Sequence, residues 1–201
     1  MSAVVASLSE FNDYFALFQL KPQFKVNRQA LESAYLTVQK QVHPDLYVQG
    51  SDSEKRISMQ MATLANVAYR TLINPIQRGL YLCIKNGVDP QLETNTSMPA
   101  QFLMQQMDWR ELLDESRNDS EKLDHLYQQV ETVRQGLLLE VEMAIDQAHN
   151  FQLAAEKLRA LLFIDKFTYS YAPTPGLKFF LGLSPIIGVL DLKLYPFFSS
   201  K

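Results

Sequence analysis

From residue 28 to 42, apolar side chains return at Leu31, Ala34/Tyr35, Val38 and Val42; after a polar stretch they return again at Ile57, Met61, Leu64, Ala68 and Leu72. Both sets recur at three- and four-residue spacing, so each segment reads as a helix with one face to bury, and the natural partner for each face is the other. Between them lies His43-Pro44-Asp45. Proline forces Val42 and His43 out of the helix, so the tripeptide is expected at the rigid, polar, exposed tip of an antiparallel helical hairpin.

Shorter elements frame this hairpin. Residues 11–18 read as a short helix carrying Phe11, Tyr14, Phe15 and Phe18 toward a core, with Pro22 ending it and Asn27 as N-cap of the next helix. Gly50 sits in the loop after Asp45, and Ser51-Asp52-Ser53-Glu54 has capping-box spacing for the long second helix. Asn74-Pro75 breaks that helix and starts another over 75–86, packed through Leu80, Tyr81 and Ile84; Gly87 and Asp89-Pro90 close the first unit. Residues 91–98 are polar and turn-prone, as a linker would be. Helical patterns then run over 99–116, 119–149 and 151–166, broken at Asn118-Asp119-Ser120 and His149-Asn150. Short connections favour an antiparallel three-helix arrangement. The expectation is an all-α chain: a first unit over 1–90, a linker over 91–98, a three-helix bundle over 99–167 and an irregular tail over 168–201.

The first bundle helix has two apolar sides. At 100° per residue, Phe102, Gln105, Trp109, Leu112 and Leu113 gather on one side, expected to face the bundle. Leu103, Met104 and Met107 lie elsewhere and share their side with Asp108, Glu111 and Glu115. A bundle helix rarely needs a second apolar patch. Apolar residues ringed by acids suggest a docking surface, with methionines able to adapt to a partner, unless the third helix or the first unit covers that face.

Composition narrows the classes. Of 201 residues, 47% are hydrophobic and 20% charged, which suits a globular chain. Cys83 is the only cysteine, so an internal disulfide and a cysteine zinc site are both excluded; His43, His125 and His149 show no metal-ligand spacing. Residues 1–10 lack the basic start and apolar core of a secretory signal, so a cytoplasmic location is expected. The net charge of −3 hides an asymmetry. Residues 21–90 hold nine lysines and arginines against five aspartates and glutamates, whereas 99–146 hold four against eleven. Opposed fields of this kind can steer two partners to two surfaces. Nucleic acid is not among the expected partners, because the basic residues form neither a run nor a patch interleaved with aromatics.

The tripeptide between two amphipathic helices, preceded by Asp13-Tyr14-Phe15-Ala16-Leu17-Phe18, resembles a J domain, the module that activates the ATPase of DnaK-type chaperones. A J domain followed by a small three-helix unit resembles the HscB family, the co-chaperones of iron–sulphur cluster assembly. The passage from Phe102 to Glu115 is similar to that family's scaffold-binding helix, Leu158 to Lys166 to its last-helix signature, and Asn74-Pro75 followed by Arg78, Tyr81 and Leu82 also matches. Together these cover residues 11–167. The resemblance implies no catalysis, no cofactor and no metal on the chain itself. It implies contact with an HscA-type chaperone ATPase at His43, Pro44 and Asp45, with Lys40 beside them. There Asp45 would pair with a chaperone arginine, His43 would donate a hydrogen bond and Pro44 would hold both in place. It also implies contact with an iron–sulphur cluster scaffold of IscU type at Leu103, Met104, Met107, Asp108, Glu111, Glu115 and Phe163. Six of these lie on the face picked out by periodicity. The N-terminal cysteine cluster of the eukaryotic members is missing, which points to a bacterial type.

Two departures stand out. The family usually has a lysine after the tripeptide, where this chain has Leu46 and Tyr47, and only Lys40 is close to the loop on the preceding helix. Lys55 or Arg56 on the facing helix could compensate. After Phe167 the sequence turns to Tyr, Phe, Pro and Gly, and Pro173, Pro175, Gly176, Gly182 and Pro185 exclude a continuous helix. Residues 179–190 are nearly uncharged but too short for a bilayer, which needs ~20 residues, so no membrane partner is expected. Three other readings remain distinguishable. A general J-protein would stimulate a chaperone without scaffold affinity. A hydrolase using His43 and Asp45 as base and orienter would turn over a small substrate unaided. A purely structural bundle would tolerate His43→Gln.

Overall fold

The computed structural model describes residues 13–90, 99–116 and 119–171. The expected linker at 91–98 and the tail from 172 onward lie outside them, as does Phe11. Among the described residues there are seven α-helices, each within or overlapping a segment that the sequence pattern predicts: α1 (Tyr14–Leu17), α2 (Arg28–Val42), α3 (Asp52–Ile73), α4 (Pro75–Lys85), α5 (Ala100–Glu115), α6 (Ser120–Glu142) and α7 (Phe151–Tyr171). A 3₁₀ turn, Pro44–Tyr47, joins α2 to α3, and a π turn, Met143–Gln147, ends α6. There is no strand among the described residues.

Caps set the boundaries. Asn27 accepts from Ala30 N at 3.1 Å to start α2. Ser51 and Glu54 form the capping box of α3. Asn74 accepts from Gln77 N at 3.0 Å, with Pro75 supplying the first residue of α4, where its missing N–H costs nothing. Helix α1 does not reach Pro22. Its chain turns off at Phe18 and Gln19, the latter at φ 54°. Helix α6 likewise stops short of 149: the π turn intervenes, and His149 takes a left-handed φ of 50° before Asn150 caps α7. At the other end α7 continues past 166 to Tyr171, because the first helix-breaking residue, Pro173, comes only after it. Thr168 is buried there, its hydroxyl donating to Ile164 O.

Helices α2 and α3 pair antiparallel, with Tyr35 donating to Asn66 Oδ1 at 2.7 Å and Ser58 donating to Val42 O at 2.7 Å. Leu31, Val38 and Val42 from α2 and Met61, Ala65, Ala68 and Leu72 from α3 are buried, as the stripes predict. Phe15, Leu17 and Phe18 close one end of this core, and Tyr81 of α4 stacks on Tyr14 at 4.5 Å. Tyr81 also donates to Asp13 Oδ1 and accepts from Tyr14 N, each at 3.0 Å, and Lys85 pairs with Asp13.

This core does not end with the first unit. Val141, Ala144, Ile145, Ala154, Ala155, Leu158 and Leu161 belong to the same buried cluster. Helix α4 lies so close to α7 that a Cβ on Gly79 would come within 2.7 Å of Leu158 Cδ2, so glycine is needed for the approach. The π turn places Asp146 at the loop before α2, where its carboxylate accepts from Phe24 N at 2.6 Å and Lys25 N at 2.9 Å. Arg78, lying 5.1 Å over the Phe24 ring, donates to the carbonyls of Phe24 and Leu72. Burial lowers its pKa to about 10, with Asp146 pulling the other way, so it remains charged at neutral pH. A second, smaller core of Trp109, Leu113, Leu126, Val130, Ile164 and Phe167 holds α5 against α6 and α7. No helix among the described residues is long and apolar enough to cross a membrane.

Candidate functional site

Two surfaces carry the residues singled out by sequence, and both are open. At the hairpin tip, His43 is extended at φ −60°, ψ 129°, as a residue before proline must be, and Pro44 opens the 3₁₀ turn. His43 caps that turn: Asp45 N donates to its Nδ1 at 3.3 Å. Asp45 Oδ2 also lies 3.5 Å from Nδ1, but a nitrogen that accepts the backbone N–H has no proton for a carboxylate. The backbone bond fits the neutral ring and leaves its proton on Nε2, available as a donor to a partner. The ion pair belongs only to the protonated ring, and its exposure would make it weak. The side chains of His43 and Asp45 are 54% and 84% exposed.

The tip is built on hydroxyl anchors. The last carbonyls of a helix have no partner within it. Here Gln41 O accepts from Tyr47 OH at 3.1 Å and Val42 O accepts from the buried Ser58. One hydroxyl comes from the turn and one from α3, so the tripeptide is fixed to both helices. Lys40 is exposed at the end of α2.

The second surface is the outer face of α5. Leu103, Met104 and Met107 are 45%, 66% and 68% exposed, and Asp108, Glu111 and Glu115 are exposed beside them. Neither α7 nor the described part of the first unit covers them. Phe163 of α7 is half-buried, edge-on to Phe102 with ring centroids 6.4 Å apart, at the border of α5 and α7. The opposite face of α5 is held by Trp109, which meets Phe167 at 5.8 Å, and by Leu113.

Two details differ from the periodicity reading. Gln106, not Gln105, is the buried glutamine, and Leu112, expected against the bundle, is 41% exposed. The stripes 102–106–109–113 and 105–109–112–116 both pass through Trp109. The pattern alone could not choose between them, whereas packing against α6 and α7 buries Gln106 and Leu113 of the first and, of the second beyond Trp109, only the terminal Ser116. Leu112 thereby joins the exposed face, one helical turn from Asp108.

Beneath this face, Arg134 of α6 donates to Asp165 of α7 at 3.0 Å, with Glu131 at 3.6 Å from the same guanidinium. Burial raises the Asp165 pKa, outweighing Arg134. The pair ties α6 to α7 two residues from Phe163. No cluster of His, Cys, Asp or Glu among the described residues could hold a metal, and burial raises the pKa of Cys83 to about 11, which leaves its thiol unreactive at neutral pH.

Comparisons with known proteins place the chain in a family. Residues 98–170 match the model of the HSCB C-terminal oligomerisation domain. The chain is 42% identical over 161 residues to the co-chaperone protein HscB homolog of Bordetella avium, an overlap of 80% of this chain and 96% of that protein. It is 44% identical over 156 residues to that of Aromatoleum aromaticum, an overlap of 77% of this chain and 88% of that protein. Among solved structures it resembles human co-chaperone protein HscB, with a TM-score of 0.75, 30% identity and coverage of 81% and 82% of the two chains. It also resembles chaperone HscB from Vibrio cholerae, with a TM-score of 0.73, 29% identity and coverage of 80% and 96%.

Proposed function

This chain belongs to the HscB co-chaperone family, and from that premise we propose that it binds an iron–sulphur cluster scaffold of IscU type, delivers it to an HscA-type chaperone and stimulates that chaperone's ATPase. The observation that carries the reading is the pairing of two open surfaces on one frame: a fixed His-Pro-Asp tip and an apolar face ringed by acids. As a co-chaperone the chain performs no chemistry itself. Its work is differential binding, favouring one conformation of a partner over another.

On the scaffold side, Leu103, Met104, Met107 and Phe163 supply apolar area, and Asp108, Glu111 and Glu115 select a basic partner surface and orient its approach. On the chaperone side, Asp45 pairs with an arginine and the Nε2 proton of His43 is donated, while Pro44 and the two hydroxyl anchors hold both without further ordering. Preorganisation matters because each side chain already fixed lowers the entropy lost on docking. Docking on the ATP-bound chaperone then favours its hydrolysis-competent arrangement, coupling capture of the scaffold to hydrolysis.

The test is single-turnover ATP hydrolysis by an HscA-type chaperone, with and without its scaffold, in the presence of this protein, its His43→Gln variant or its Met107→Lys variant. Stimulation that grows with scaffold, vanishes in H43Q and loses only its scaffold-dependent part in M107K is the expected result. Stimulation indifferent to scaffold in all forms would assign the chain to a general J-domain role with another client.

A further inference from the structure

We propose that the chaperone-docking surface continues past the tripeptide through Leu46 and Val48, and that these residues seat against an apolar strip of the chaperone ATPase. The inference rests on the co-chaperone reading above and goes beyond it in naming the chemistry of the contact.

Leu46 is 64% exposed and Val48 59% exposed, although both are large apolar side chains. They are not on a loose loop. Leu46 N donates to His43 O at 3.0 Å and Gly50 N donates to Tyr47 O at 2.9 Å, which closes the turn at both ends. Tyr47, between them, is half-buried, and its hydroxyl reaches back to Gln41 O at 3.1 Å. With Tyr47 drawn inward, its two neighbours are held out to solvent on the same turn that presents Asp45. A surface leucine needs no explanation alone. Two apolar residues fixed outward by a purpose-built turn, contiguous with the tip, are different.

Charge decides what they meet. From residue 41 to 51 the sole charged side chain is Asp45, and Lys40 is the one cation at the adjacent end of α2. A partner surface bordering the Asp45 site therefore finds no cation in this turn to satisfy acidic groups, Lys55 and Arg56 lying beyond it in the first turns of α3, and burying those acids against Leu46 and Val48 would strand them. An apolar strip is the complementary chemistry. Contact of this kind is driven by area removed from water, so it weakens little with salt, whereas a lysine-for-acid contact is screened.

The experiment measures the concentration of full-length protein that half-saturates stimulation of the chaperone ATPase, at low and at high potassium chloride, for the native chain, L46K, V48K and H43Q. Both positions are exposed, and thermal melts of each variant verify unchanged folding. The proposal expects native half-saturation to shift by no more than about fivefold between the two salts, which is as far as screening of the single Asp45 ion pair accounts for. It expects L46K and V48K each to raise it about tenfold, the size of one lost apolar side-chain contact. H43Q is expected to abolish stimulation. L46K or V48K matching or exceeding the native chain, with H43Q still inactive, would overturn the apolar contact and leave the co-chaperone reading standing. If the native chain and H43Q are equally without effect, the co-chaperone reading fails and the inference with it. Should L46K leave half-saturation unchanged but convert a sedimenting dimer to monomer, the occupant is a second copy of this chain, and the proposal is wrong.

Discussion

The tip at His43, Pro44 and Asp45 stands on a hairpin whose core is shared with α1, α4 and the neighbouring ends of α6 and α7, whereas α5 rests on the six-residue cluster around Trp109. Their ends differ as well. Helices α2, α3 and α4 each begin on a side-chain cap, while α5 begins at Pro99 with none. The two surfaces thus differ in how firmly they are built. One is a fixed point, suited to triggering a conformational step in a partner. The other is a lightly held helix presenting flexible methionines, suited to adapting its shape to a partner.

The sharpest way to break that comparison is to remove one anchor from each core. Trp109→Ala removes the largest side chain of the small cluster, a loss of about 3–5 kcal/mol, more than so small a cluster can absorb. Amides of α5 are expected to lose hydrogen-exchange protection while those of α2 and α3 keep theirs, and scaffold binding to fall with chaperone stimulation retained. Leu158→Ala, fully buried between α4 and α7, costs about 2–5 kcal/mol but should lower protection in both units together. Equal and global loss in both variants would mean that there is one cooperative unit and that the contrast is false.

Acid should separate the two regions in opposite senses. Burial disfavours the charged form of Asp13, but Lys85, Phe15 N and Tyr81 outweigh it and hold the carboxyl below its ordinary value of 3.8. Its contribution to stability is therefore present above that value and lost as pH falls through the lower, folded pKa. For Asp165 burial prevails and the pKa is raised, so its contribution is full below the ordinary value and is lost as pH rises through the folded one. Denaturant titrations between neutral and strongly acidic pH should show Asp13→Asn flattening the acid loss of stability. Asp165→Asn should steepen it, because the compensating gain disappears. A pH profile unchanged by either substitution would remove electrostatics from the comparison.

The smallest effect is constructive. Pro99 has φ −53° and ψ 136°, a backbone that serine adopts freely, so Pro99→Ser can supply the missing cap of α5. A gain of about 0.5–1 kcal/mol is expected, read as slower exchange of the first-turn amides of α5. If a firmer α5 also binds scaffold more tightly, its looseness is only a cost; if it binds more weakly, adaptability is part of recognition.

Much of this protein is local in origin. The hairpin, its tip and the breaks at Asn27, Ser51 and Asn74-Pro75 follow from apolar spacing, caps and a proline acting within one or two turns of chain, so they are legible in sequence. The outward placement of Leu103, Met104 and Met107 was legible for the same reason, because a helix fixes relative angles whatever surrounds it. What the angles leave open is the absolute rotation, and there packing ruled: Gln106 went in and Leu112 came out only because α6 and α7 approach α5 from one side. Tertiary structure likewise drew the ends of α6 and α7 into the core of the first unit, through Gly79 against Leu158 and the Asp146 carboxylate on two backbone N–H groups 121 and 122 residues away. No local pattern encodes such a meeting. A π turn and a left-handed His149 are tolerated because the contacts they make possible stabilise them, and those contacts exist only once the chain has closed on itself.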